Sequence, residues 1–264
     1  MGQKQKYEES ALKNLIYREK DHIGYLTLNR WEKYNAFNGP LIDEFEQFWH
    51  DRRYDDRIRV IILDGGDAKG FCAGLDMETY APKMFEVDPT IAYNGQARMA
   101  RTLLAMRQAP QPIISCVHGA ASGIGFSLAM ASDIRIVAEN ARFNAAYINI
   151  GLGGADMASS YFLPRLIGSG RANEFLLTGN WMSAEEAMAL GFASRRVPRE
   201  KMMETAEELA RTMAGKTPLG LRMTKEAINV NLDCGGLEAA LQMEDRNQMM
   251  VMYSLKLTSQ GVNS

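Results

Sequence analysis

The chain has 264 residues, of which 46% are hydrophobic, enough to bury a substantial core as one large domain or a domain with a smaller appendage. With 30 Lys and Arg against 32 Asp and Glu, the formal charge is only −2, so no global field can hold a polyanion and nucleic acid is not an expected partner. Cys72, Cys116 and Cys234 are scattered without CxxC spacing, which excludes a disulfide framework or structural zinc site and points to a reducing cytoplasm.

Met1 to Glu9 is polar and lacks the apolar segment of a signal peptide, and no stretch approaches the ~18 apolar residues of a membrane span, so no membrane partner is expected. Leu12 to Glu19 and Gly24 to Asn29 read as β-rich runs joined at Lys20-Asp21-His22, a hairpin. Asn38-Gly39-Pro40 then opens a helix, because Leu41, Ile42, Phe45, Phe48 and Trp49 recur at helical spacing. The continuous apolar run in Arg59 to Asp64 is that of a strand covered on both faces.

A strand at Pro112 to Val117, a helix from about Gly125 to Ala131 and a strand at Ile134 to Ala138 continue the alternation, so parallel β/α units are favoured. From about Pro198 the composition turns to helix formers, with amphipathic stretches at 199–215, 218–230 and 236–250. The expected organisation is a polar leader at 1–11, an α/β core at 12–197 and a helical region at 198–264.

No metal constellation is readable: His22, His50 and His118 are far apart and no HExxH pair exists. GxSxG, Walker A and complete GxGxxG patterns are absent too. Two glycine-containing turns remain, Gly70-Phe-Cys-Ala-Gly-Leu-Asp-Met77 and His118-Gly-Ala-Ala-Ser-Gly-Ile-Gly-Phe126. Each falls where a strand gives way to a helix, so backbone N–H groups can be left free and aimed at an anion or a polarised carbonyl. Glycines that merely permit tight turns would look the same.

The order Asn29-Arg-Trp-Glu-Lys-Tyr-Asn-Ala-Phe37, Phe71-Cys-Ala-Gly-Leu-Asp-Met77, His118 to Gly125 and Ala131-Ser-Asp-Ile-Arg135 resembles the crotonase (enoyl-CoA hydratase/isomerase) superfamily. It continues through Leu177-Thr-Gly179, Ala184-Glu-Glu-Ala187, Gly191-Phe-Ala-Ser194 and Thr224-Lys-Glu-Ala227, covering roughly 12–250. The resemblance implies an α/β spiral of β-β-α units closed by C-terminal helices, assembled as a homotrimer or homohexamer. It also implies an acyl-CoA substrate, no separate cofactor, and an oxyanion hole made by the backbone N–H groups of Leu75 and Ile124. Ile124 stands where the family usually has glycine.

Fixed donors of this kind stabilise the charge that develops on a thioester oxygen as an enolate forms. The two glutamates of the ordinary hydratases are replaced by Ser127 and Tyr147, neither of which is a carboxylate base. Asp156 resembles instead the catalytic aspartate of dienoyl-CoA isomerases and aryl-CoA dehalogenases, and a helix N-cap is the other role open to it. Lys33, Ala73 and Lys225 are implied as CoA-binding, while His118 and Asp76 read as structural.

The expected activity is enoyl-CoA hydration or isomerisation with Asp156 moving the proton. A hydrolase or dehalogenase using Asp156 is the alternative, although 100–108 lacks the histidine that dehalogenases place there. A noncatalytic CoA-binding member is the third reading.

Overall fold

A computed structural model describes residues 12–83 and 86–259; the expected leader at 1–11 lies outside them. Strands β1 (Leu15–Lys20) and β2 (Ile23–Leu28) pair antiparallel, with Lys20 opposite Ile23. Asp21 and His22 between them both have positive φ, 53° and 66°, the geometry whose twist matches a two-residue hairpin. Residues 12–14 precede the first strand rather than joining it.

Helix α1 (Gly39–Arg52) starts where expected, with the Asn38 side chain accepting from Leu41 N, and all five periodic apolar residues are buried. Strands β3 (Val60–Asp64), β4 (Ile113–Val117), β6 (Ile134–Ala138) and β9 (Arg195–Val197) extend the hairpin into a six-stranded sheet, ordered β1-β2-β3-β4-β6-β9 and parallel from β2 onward. A second sheet of three short strands, β5 (Ala120–Ser122), β7 (Arg142–Asn144) and β8 (Met182–Ser183), has no counterpart in the sequence reading.

The main sheet is covered on both faces, which accounts for its unbroken apolar runs. Ile61, Leu63, Ile113 and Val117 face one cluster with Phe45, Trp49 and Leu103. Val60, Ile62, Ile114 and Cys116 face the other, with Met202, Ala206, Ala210 and Ala214. Those last four lie on α8 (Met202–Ala214), so the helical region that follows Val197 begins as one wall of the core rather than as an appendage.

The remaining helices are α2 (Met77–Tyr80), α3 (Pro89–Gln108), α4 (Ile124–Ala131), α5 (Ser159–Ile167), α6 (Ser169–Thr178), α7 (Ala184–Ala189), α9 (Pro218–Asn231) and α10 (Leu237–Ser259). Helix α4 starts one residue before its expected position, and α10 runs well past residue 250. None of the described helices is long and apolar enough to cross a membrane.

Candidate active site

Residues 71–75 run between two partners. On one side, Phe71 N donates to His118 O and Cys72 N to Ala120 O, while Ser122 N donates back to Cys72 O, at 2.8–3.1 Å. On the other, Ala73 N donates to Tyr34 O, Phe37 N to Gly74 O and Asp76 N to Phe37 O, at 2.7–3.0 Å. The ladder leaves one gap: among the described residues Leu75 N–H has no acceptor.

Gly74, with φ of 101°, turns the chain at this gap, a conformation L residues with a β-carbon rarely adopt. A β-carbon on Gly74 would lie 3.0 Å from Ser122 O and 3.7 Å from Ile124 N, so the turn abuts the start of α4. Ile124 is the first residue of that helix, where an N–H has no partner within the helix. Two amides without an acceptor among the described residues, Leu75 and Ile124, therefore lie at neighbouring turns. Gly125 brings α4 down onto the strand, since a β-carbon there would sit 2.4 Å from Cys72 O.

Asn35, missed in the sequence, braces this loop: its buried amide donates to Gly65 O and Phe71 O and accepts from Arg30 N. Asp76 is the N-cap of α2, accepting from Thr79 N, and pairs with Arg30 at 2.9 Å. Burial pushes its carboxyl upward, but the Arg30 and Thr79 bonds outweigh this and hold it below the ordinary value. Buried His118 bonds Ala68 O through Nε2, and burial lowers its pKa. Both residues hold the turns, as expected.

Ser127 is fully buried on α4, and its Oγ lies 3.2 Å from Tyr147 Oη. The Tyr147 ring packs on the same turn, with Cε1 3.3 Å from where a β-carbon on Gly123 would stand. Burial raises the Tyr147 pKa far above the ordinary value, the Ser127 bond opposing it, so this hydroxyl pair stays protonated.

Asp156 lies close enough to Tyr147 for its charge to add to that rise. Its Oδ1 accepts from Gln96 Nε2 and from Met157 N, each at 2.7 Å. It does not cap α5: Ala158 occupies the N-cap, and Met157 and Ala158 before the helix both have positive φ, 47° and 59°. The capping role open to Asp156 in the sequence is thus not the one it plays.

Of the three implied CoA contacts, Ala73 lines a surface cavity of about 430 Å³ together with Tyr34, Lys69 and Arg142. Among the described residues neither Lys69 nor Arg142 has an acidic partner, and the Arg142 guanidinium lies 4.4 Å over the Trp181 ring. Lys33 is exposed, with Nζ 2.5 Å from Glu78.

Lys225 must be removed from the ligand set. Its buried ammonium lies 3.0 Å from Asp133 Oδ2 and donates to Gln111 O at 2.8 Å and Met106 O at 3.2 Å. Burial lowers its pKa against the pull of Asp133. It clamps α9 against Gln111 and Met106 with its side chain only 4% exposed, turned inward and away from any ligand in solvent.

A parallel sheet with paired, amide-bearing turns and a C-terminal helical region is the crotonase architecture. The sequence model of that group, enoyl-CoA hydratase/isomerase, matches residues 18–263, and the chain belongs to this family of acyl-CoA enzymes. It is 36% identical to a Mycobacterium tuberculosis protein named "Probable enoyl-CoA hydratase", over 93% of this chain and 87% of that one. It is 33% identical to the 1,2-epoxyphenylacetyl-CoA isomerase of Escherichia coli, over 83% and 82% of the two chains. The crystal structure of an enoyl-CoA hydratase from Bacillus anthracis aligns with a TM-score of 0.85 at 29% identity, covering 94% of this chain and 96% of that one.

Proposed function

We propose that the protein transforms an acyl-CoA thioester through an enolate, with Leu75 and Ile124 amides on the thioester oxygen and Asp156 as the single carboxylate that moves the proton. The observation that carries this reading is the pair of unsatisfied amides at the abutting Gly74 and Gly123 turns. In isomerisation Asp156 takes a proton from carbon, the C–H electron pair passes into the enolate, and the same carboxyl returns the proton at the far end of the conjugated system. In hydration it takes a proton from water as the oxygen bonds to the β-carbon, the double-bond pair passes into the enolate, and the carboxyl returns the proton to the α-carbon. Ser127 and Tyr147 hold acyl group or water by hydrogen bonding, since neither ionises at working pH.

The Ala73 cavity suits the phosphate end of CoA, with Lys69 and Arg142 as cations in place of Lys225. The reading calls for no metal or redox cofactor, CoA being part of the substrate, and for a cytoplasmic enzyme. Exposed Leu237, Leu241, Met249, Met250, Tyr253 and Leu255 on α10 support burial of this helix against other copies in a homotrimer or homohexamer.

Purified protein should be incubated with crotonyl-, benzoyl-, cyclohexenoyl- and phenylacetyl-CoA, with mass and chromatographic detection of hydration, dehydration, isomerisation and free CoA. Binding should also protect the fold by ~2.7 kcal/mol at ~100 times the dissociation constant. No thermal shift with any acyl-CoA, in folded protein, would overturn the thioester reading.

A further inference from the structure

The carboxylate of Asp156 is held unevenly. Both of its protein donors, Gln96 Nε2 and Met157 N, bond Oδ1, and among the described residues Oδ2 has none. The donors come from separate places: Met157 follows Asp156 in its own turn, whereas Gln96 reaches across from α3, 60 residues away in sequence.

Each support is itself fixed. Helix α3 is anchored through buried Met99, Leu103 and Met106, and Arg98 ties it to α1 through Asp43 at 2.7 Å and through Glu46. Gln96 precedes Met99 by three residues, on the same side of the helix, and although its own side chain is exposed the helix beneath it is held by that buried row. On the Asp156 side, Met157 is buried despite its left-handed backbone, and Ser159 Oγ accepts from Asp156 N while donating to Gly154 O. Two consecutive non-glycine residues in that region persist only where their surroundings over-determine them.

We infer that Gln96 is a positioning residue for the proton-transferring carboxylate, fixing Oδ1 so that Oδ2 presents its lone pairs to the substrate. The inference rests on the reading of Asp156 as the acid–base. A neutral amide suits this role because it orients the carboxylate by one hydrogen bond, without placing a full positive charge against a base that must accept a proton. A merely structural bridge between α3 and the α5 turn would need the same contact but would not couple to proton transfer.

The test is exchange of the α-protons of butyryl-CoA in D2O, followed by mass, with its affinity read separately by thermal shift. Gln96→Met keeps length and apolar bulk but removes the donor; exchange at saturation should fall about 10- to 100-fold with affinity little changed. Gln96→Glu restores a donor only when its carboxyl carries a proton, so its deficit relative to the wild type should shrink toward acid pH while that of Gln96→Met stays flat. In an Asp156→Asn background, Gln96→Met should change nothing further.

Wild-type exchange by Gln96→Met, or equal and pH-independent deficits in the two Gln96 variants, would overturn the inference. Full exchange by Asp156→Asn alone would instead overturn the reading beneath it, so the two failures are distinguishable.

Discussion

The two halves of the site are built by different means. The proposed oxyanion half is backbone, fixed by ladder hydrogen bonds on both sides of residues 71–76 and by a helix pressed onto them at Gly125. The proposed acid–base half is side chains: a buried hydroxyl pair, Ser127 and Tyr147, and the Asp156 carboxylate on a partly exposed turn. The first half depends on where the chain turns, since the N–H of Ile124 at the helix start is backbone whatever its side chain. The second depends on which functional groups are present, so it is where relatives with one scaffold can diverge in reaction.

The sharpest way to break this division is Asp156→Asn. The expected result is a fall in kcat of ~10²–10⁴-fold with acyl-CoA affinity nearly unchanged, because general acid–base catalysis is lost while the backbone donors remain. Ser127→Ala is the control and should cost far less. Comparable losses in the two variants would return proton transfer to the hydroxyl pair.

The backbone half is tested at Gly74→Ala. The new β-carbon would lie 3.0 Å from Ser122 O at a φ of 101°, so the turn must shift and Leu75 N with it. We expect kcat/KM to drop about 10²-fold, as when one oxyanion donor is removed. Unchanged turnover would mean that these amides do not carry the developing charge.

Lys225→Met separates stability from binding. It leaves Asp133 without its ammonium partner, although Arg107 remains 3.2 Å from the other carboxylate oxygen, so a loss of roughly 2–3 kcal/mol is expected in urea unfolding. The affinity of the folded protein for acyl-CoA should not change. A large rise in Kd with normal stability would return Lys225 to the ligand set.

The smallest effect lies at Asp76, beside the Leu75 donor. Its carboxyl is held below the ordinary value, so its contribution is complete above the unfolded carboxylate pKa near 4 and fades as pH falls through the lower folded value. Asp76→Asn should cost about 1 kcal/mol at pH 7, with the difference from wild type narrowing in acid. A difference that does not narrow would assign the cost to something other than the ionised pair with Arg30.

Much of this is legible in the sequence, for identifiable reasons. Helix α1 and strand β3 carry strong periodic or continuous apolar signals, and both form where those signals lie. Strands β5, β7 and β8 have only two or three residues each, too few to show a period. Helix α3 escapes notice because Ile91 and Tyr93 in its first half face outward and its buried residues begin only at Met99.

In the site, the glycine turns mark the backbone donors, but single residues mislead. Asp156 just before a helix leaves a cap open beside the catalytic role, and two left-handed residues that no propensity predicts, Met157 and Ala158, close that alternative by moving the helix start beyond its reach. Lys225 reads as a CoA-binding cation because lysine is rarely buried; only the fold brings Asp133 and two carbonyls around it. Gln96 carries no signal, since its partner is 60 residues away.

If this site makes an enolate on backbone donors, the most direct measurement is solvent deuterium entering the α-position of bound butyryl-CoA, a saturated thioester that can be enolised but has no double bond to hydrate. Incorporation is expected with the wild type, and slower by ~10²–10⁴-fold with Asp156→Asn although both bind the ligand. Wild-type protein that binds butyryl-CoA yet leaves its α-protons untouched would contradict the enolate mechanism.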